Sequence, residues 1–225
     1  MKKLGLLVIM LLGLCAAAYF TSSSALEFTA TLSGLLCVWL TARQNIWCWP
    51  IGLVNVICFF AMFYEAKLYA DMLLQVFFFV MSVQGWIVWL TGRGTAKVRP
   101  TRRLTLLRGI LLGIAVIAVT GGWGMVLERY TDASIPYLDA FLATLSLAAQ
   151  LLLSSKVLEN WVVWIAVDVL SVGMYAYKEL YLIALLYAVF LGIAVSGLLS
   201  WRSELQLHAW PGARPLSTAD QPEYR

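Results

Sequence analysis

The sequence predicts an all-α integral membrane protein: two parallel three-helix repeats joined by a linker helix, with one extra helix at the N-terminus. Three observations predict it. Of 225 residues, 62% are hydrophobic and 12% charged, with a mean hydropathy of +0.83, and that is about half the charge of a soluble domain. Apolar spans of bilayer-crossing length recur along the chain. Part of the first half also returns in the second.

The first span, residues 4–20, follows Lys2 and Lys3. A lipoprotein signal requires a small residue before its cysteine, whereas Leu14 precedes Cys15, and Ala16 to Ala18 form only a weak cleavage site. The span therefore reads as an extra membrane helix in region 1–25. Spans at 26–42, 47–64 and 69–90 form a first repeat, 26–90. A basic loop and a linker helix at 105–127 occupy 91–136, and spans at 137–154, 160–177 and 180–200 form a second repeat, 137–201. The segment 202–225, with Pro211, Pro215 and Pro222, lacks apolar periodicity and is expected to be a mobile cytoplasmic tail.

Placing the N-terminus inside puts thirteen of the sixteen Lys and Arg residues on the inner side, leaving Lys67, Arg129 and Lys178 outside. The positive-inside rule selects that orientation, with both termini cytoplasmic.

The repeat is carried by Ala30-Thr31-Leu32-Ser33, which returns as Ala143-Thr144-Leu145-Ser146. The same offset pairs Arg43 with Lys156, Asn55 with Asp168 and Tyr64 with Tyr177, and an offset one shorter pairs Leu68-Tyr69 with Leu180-Tyr181 and Trp89 with Trp201. One helix between two three-helix units makes the units parallel. That arrangement occurs in transporters, which bind substrate between their halves near mid-membrane.

Several function classes are disfavoured. Cys15, Cys37, Cys48 and Cys58 sit in apolar spans without metal-ligand spacing, and His208 lies in the polar tail with no acid or cysteine cluster. No metal or cofactor is expected. There is no phosphate-cradling Gly-rich loop or buried Arg cluster, which argues against ATP hydrolysis and against a phosphorylated substrate. Positive charge flanking membrane spans explains the net +4 without a nucleic-acid partner. An enzyme would need more than the isolated carboxylates Asp71 and Asp168; a membrane sensor or scaffold is the alternative class.

Polar residues at membrane depth mark the candidate site. Asn160, Trp164, Asp168, Ser171 and Tyr175 fall on one helical face. Asp71, Gln75, Ser82, Trp86 and Trp89 make a similar stripe. Gln75 reads as pocket-lining and Gln84, on the opposite face, as a packing or subunit contact. Trp86 and Trp89 are expected in an interfacial aromatic belt. Asp139, Ser146 and Gln150 share a face, as do Gln44, Cys48, Gly52, Asn55 and Phe59. Aromatic rings and amides together suit a flat, polar, uncharged or cationic heterocycle, and a carboxamide can be read by Asn or Gln.

The runs WPIGLVN (49–55), LYADMLLQ (68–75), GWIVW (85–89), ATLSLAAQLLLSSKVLENWVVWIAVD (143–168) and KELYLIALLYAVFL (178–191) resemble the PnuC-type vitamin transporters. The resemblance covers about 26–201. It implies a fold similar to the SWEET sugar transporters in opposite orientation, a homotrimer, and facilitated diffusion of a dephosphorylated vitamin without ion or ATP coupling. Trapping would come from phosphorylation by a cytoplasmic kinase. The substrate implied is nicotinamide riboside, with thiamine or riboflavin as alternatives. By motif position, the resemblance places substrate binding at Asn55, Gln75, Gln150, Asn160, Trp164 and Asp168; Tyr175 joins them from its place on the polar face.

Overall fold

The computed structural model describes residues 25–209 apart from 68, 92, 93, 95, 132 and 133. The expected extra helix at 4–20 lies outside the described residues. Seven helices follow: α1 (Ala25–Ala42), α2 (Cys48–Glu65), α3 (Tyr69–Leu90), α4 (Leu106–Tyr130), α5 (Pro136–Ser154), α6 (Asn160–Tyr177) and α7 (Tyr181–Ala209). All are long and apolar enough to cross a membrane. Their bounds match the expected spans to within three residues, except that α7 continues to Ala209 instead of ending near 200. Trp201 and Leu205 pack into the core, and Glu204 accepts a 2.5 Å bond from Thr101 Oγ1, so this stretch is anchored helix and not tail.

Packing follows chain order within each half: α1 on α2 and α2 on α3, then α5 on α6 and α6 on α7. Across the halves, α3 meets α5 and α1 meets α7, while α4 rests chiefly on α5. The equivalences extend to the turns. α2 and α6 each span 18 residues. Gln44 and Lys156 adopt left-handed φ of 55° and 58°, and Lys67 and Glu179 adopt 58° and 60°. This register shifts the expected pairing by one residue: Lys156 corresponds to Gln44 rather than Arg43, and Asp168 to Val56 rather than Asn55.

The core sits at the end of the bundle that carries Arg43 and Lys156, here termed the basic end. Trp49, Trp89, Trp161 and Trp201 are all buried there. Trp49 meets Trp89 edge-on at 5.2 Å, Trp89 meets Trp201 at 5.6 Å, and Trp201 meets Trp161 edge-on at 5.6 Å. Trp89 is thus core and not an interfacial belt residue. Its indole N–H donates to Leu153 O at 3.1 Å, and that of Trp201 to Thr41 O at 3.3 Å. Both acceptors are last-turn carbonyls that also accept a backbone N–H from the turn that follows, Leu153 O from Lys156 N and Thr41 O from Gln44 N, each at 2.9 Å, so the indole takes the second lone pair. Room for the rings comes from glycine, since a Cβ at Gly85 would fall 2.2 Å from Trp49 and one at Gly197 2.5 Å from Trp161.

The segment before α4 is strapped over this core. Arg99 N donates to Trp89 O at 2.8 Å, Arg102 N to Lys156 O at 3.0 Å and Leu158 N to Arg102 O at 2.8 Å. Leu104 N donates to Glu159 Oε2 at 2.8 Å.

Gly197→Ala is expected to destabilise by about 1–3 kcal/mol, the usual cost of overpacking a rigid core. The readout is a lower thermal midpoint in detergent. Gly113→Ala, whose Cβ meets nothing within 4 Å, is the comparison that should leave the midpoint unchanged or slightly raised.

Candidate functional site

The polar face of α6 turns inward along its length. Asn160, Asp168 and Ser171 are buried, and Trp164 and Tyr175 are partly so. Trp164 bridges the tryptophan core and a second apolar cluster formed by Leu142, Val167 and Met174. Asp168 is 4% exposed, yet no described residue hydrogen-bonds to it. A carboxylate at membrane depth without a partner is costly, so an unpaired one facing an interior marks a place where a ligand or water would compensate it.

Its polar neighbour is Tyr187 of α7, whose hydroxyl also lies beside Ser171 and Tyr175. Tyr187 stacks on Tyr175, with centroids 5.3 Å apart and planes 19° apart, and meets Phe190 edge-on at 6.0 Å. Sequence reasoning missed Tyr187. The signal was present, since it bears the one polar side chain between Tyr181 and Ser196.

On α3, Gln75 and Ser82 are buried, whereas Gln84 is exposed on the other face, as its spacing predicts. Gln150 Nε2 donates to Ser82 Oγ at 3.4 Å, tying α5 to α3. Asn55 points elsewhere. Its Nδ2 donates to Ala30 O at 2.6 Å, and it packs on Gly34 of α1. Asn160 lies at the basic end, where its Nδ2 donates to Val157 O and its buried Oδ1 has no partner among the described residues. The structure therefore groups Trp164, Asp168, Tyr175 and Tyr187 on one wall, puts Gln75 and Gln150 on the α3–α5 side, and leaves Asn55 between α1 and α2.

The two ends of this interior differ in charge. At the far end, Asp71 and Asp139 both act on the Tyr175 hydroxyl, and Asp139 pairs with Lys178 at 3.7 Å. At the basic end Lys156, one of the cations counted on the inner side, is fully buried. Its Nζ donates to Gln44 Oε1 at 2.7 Å and lies 3.8 Å and 4.3 Å from the ring centroids of Trp89 and Trp201. Burial pulls the ammonium down to about 7, against the opposing pull of Glu204; the two ring faces and the amide oxygen favour its charged form.

Acids near one end, a stacked aromatic pair and a buried acid partway along, and a buried lysine at the basic end are an arrangement that suits a cationic ring. Among the described residues no group of His, Cys, Asp or Glu could hold a metal.

Comparison with known proteins is consistent with this geometry. The family model described as nicotinamide mononucleotide transporter matches residues 24–203. The nicotinamide riboside transporter PnuC of Escherichia coli K12 is 29% identical over 204 residues, covering 79% of this chain and 85% of that protein. The riboflavin/roseoflavin transporter RibM of Streptomyces davaonensis is 21% identical over 179 residues, covering 78% and 83%. A crystal structure of the vitamin B3 transporter PnuC superposes with a TM-score of 0.72 at 23% identity, covering 90% of this chain and 91% of that one, which establishes the fold.

Because the folded value of Lys156 lies below the ordinary 10.5, its buried charge opposes folding fully below about pH 7, and the cost fades as pH rises toward the free-lysine value. The thermal midpoint of the wild type is therefore expected to gain on that of Lys156→Met between about pH 6 and pH 9. A constant difference across that range would show that the ammonium is not desolvated.

Proposed function

Because the chain belongs to the nicotinamide mononucleotide transporter family, we propose that it carries nicotinamide riboside across the inner membrane by facilitated diffusion. A cytoplasmic kinase would trap the product. The observation that carries the reading is Asp168: a buried carboxylate with no hydrogen-bond partner among the described residues, beside the stacked Tyr175–Tyr187 pair. Nicotinamide riboside has a cationic pyridinium ring and a carboxamide. In this reading Asp168 supplies the counter-charge, Trp164 and Tyr175 the ring faces, and Gln75 and Gln150 the amide contacts. Asn160 frames the basic-end limit of the path, Asn55 acts only by holding α2 to α1, and Asp71 and Asp139 attract the cation at the far end.

The proposed architecture is a SWEET-like three-plus-one-plus-three arrangement, with α1–α3 and α5–α7 as parallel repeats and α4 as the linker. The reciprocal Trp89–Leu153 and Trp201–Thr41 bonds support it. The basic end is taken as cytoplasmic, with both termini on that side, and the functional unit as a homotrimer in the bilayer. The unit boundaries proposed are 1–25, 26–90, 91–136, 137–201 and 202–225.

The likeness to RibM favours riboflavin as a second reading of the same fold and mechanism, and thiamine, whose thiazolium ring is also cationic, is a third. A sensor or scaffold role predicts no substrate flux in vesicles containing only this protein.

The test is uptake of labelled nicotinamide riboside by cells that lack their own transporter but contain the trapping kinase, with unlabelled thiamine and riboflavin as competitors. Trp164→Ala and Gln75→Ala are each expected to abolish uptake while preserving expression and oligomer size. Asp168→Asn should weaken uptake by about tenfold or more, on the scale of a lost desolvated ion contact, and Gln84→Ala should leave it unchanged. Normal uptake by both Trp164→Ala and Gln75→Ala would remove these faces from the site. Entry of labelled thiamine or riboflavin in place of nicotinamide riboside would replace the substrate.

A further inference from the structure

A polar concavity lies at the basic end, beside α4. It is a groove of about 280 Å³ between the segment before α4, the first turns of α4 and the last turn of α5. Arg102, Arg103 and Arg108 line its polar side, and Leu112, Leu151 and Leu152 its floor. All three guanidinium groups belong to exposed residues, and no described residue forms a salt bridge with them. Arg102 Nη2 donates to Ser155 O at 3.2 Å. Glu159, on the neighbouring turn, accepts the backbone N–H of Leu104. Burial, followed by the charges of Arg99 and Arg108, pulls the Arg102 guanidinium below its ordinary value, as expected where cations face one another without a counter-ion.

Charge alone would be explained by membrane orientation. The groove adds two features that orientation does not require. The hydrogen-bonded strap holds Arg102 in place through Lys156 O and Leu158 N, so the site is built and not a loose cluster. Its apolar floor continues onto exposed membrane-depth surface, where Leu151 is 41%, Leu111 57% and Ile114 60% exposed. A guanidinium cluster forms multiple charge-assisted hydrogen bonds to phosphate oxygens, and an adjoining apolar flank accepts acyl chains. Basic pockets between helices at the membrane surface bind anionic lipid headgroups in this way.

We propose that this groove binds the phosphate headgroup of an anionic phospholipid, with Arg102, Arg103 and Arg108 around the phosphate and the acyl chains along Leu112, Leu151 and the bare flank of α4. A free phosphate would share the headgroup contacts but would gain nothing from the apolar floor.

The test is native mass spectrometry of the purified, delipidated full chain titrated with phosphatidylglycerol, phosphatidylcholine or inorganic phosphate. Phosphatidylglycerol adducts are expected to survive on the wild type at activation energies that strip phosphatidylcholine. The triple Arg102→Gln, Arg103→Gln, Arg108→Gln variant should weaken phosphatidylglycerol binding on the order of a hundredfold, roughly fivefold per arginine. The corresponding triple Arg→Lys variant should retain much of it, which separates charge from misfolding. On the wild type alone, rising ionic strength should weaken the phosphatidylglycerol adduct and leave phosphatidylcholine unaffected. Equal retention of the two lipids, or of phosphatidylglycerol by wild type and Gln variant, would overturn the proposal. Displacement of the lipid by millimolar inorganic phosphate would reassign the groove to free phosphate groups.

Discussion

Two indole N–H groups, those of Trp89 and Trp201, hold the basic end of this bundle together by bonding to the last-turn carbonyls of the helices opposite. Between membrane helices the apolar surfaces gain little from each other, because lipid is an equally good apolar partner. Association then rests on close packing and on polar groups that would otherwise go unpaired. Each tryptophan supplies both: its ring is fully buried against neighbouring indoles, and its N–H, which would otherwise go unpaired, adds a second bond to a carbonyl at the end of a helix. Since one bond runs from α3 to α5 and the other from α7 to α1, the pair ties the first three helices to the last three.

Other features of that end depend on this lock. Lys156 occupies a left-handed turn, a conformation that costs a non-glycine residue roughly 1–2 kcal/mol, and its ammonium is then received by two ring faces and the Gln44 amide. The carbonyl of the same turn residue accepts Arg102 N–H, so the strap, the buried lysine and the tryptophans form one continuous unit. The arginines of the groove beside α4 lie outside it.

Polarity is graded along the interior. Acids gather at the far end, Asp168 stands alone partway along α6, and a lysine closes the basic end. A cation moving along this axis would meet attraction at the acidic end and partway along, then a ring-packed stop built around Lys156. Such a gradient fits a carrier that accepts a cationic ring from the acidic side and requires the tryptophan unit to rearrange before release. The aromatic wall of Tyr175 and Tyr187 lies between the two acidic positions, where it can stack a flat ring without discriminating strongly among heterocycles. Amide groups on α3 and α5 are better suited to that discrimination.

By itself the sequence determined the membrane class, seven of the helix spans, the inward face of α6 and the opposed faces of Gln75 and Gln84. These are consequences of hydropathy and of the 3.6-residue period, which act locally along the chain. The internal repeat was also legible, though one residue out of register around the turns, because motif matches do not reveal which residue takes the left-handed conformation. Only the tertiary structure decided that Trp89 and Lys156 are core, that Asn55 bonds to the backbone of α1, that α7 runs on to Ala209 and that Tyr187 stands beside Asp168. Each of these depends on a partner distant in the sequence: a backbone carbonyl, an amide, a hydroxyl or a second ring. A single side chain carries no mark of the partner it will meet, and in a chain this rich in tryptophan, belt and core residues look alike until the helices are packed.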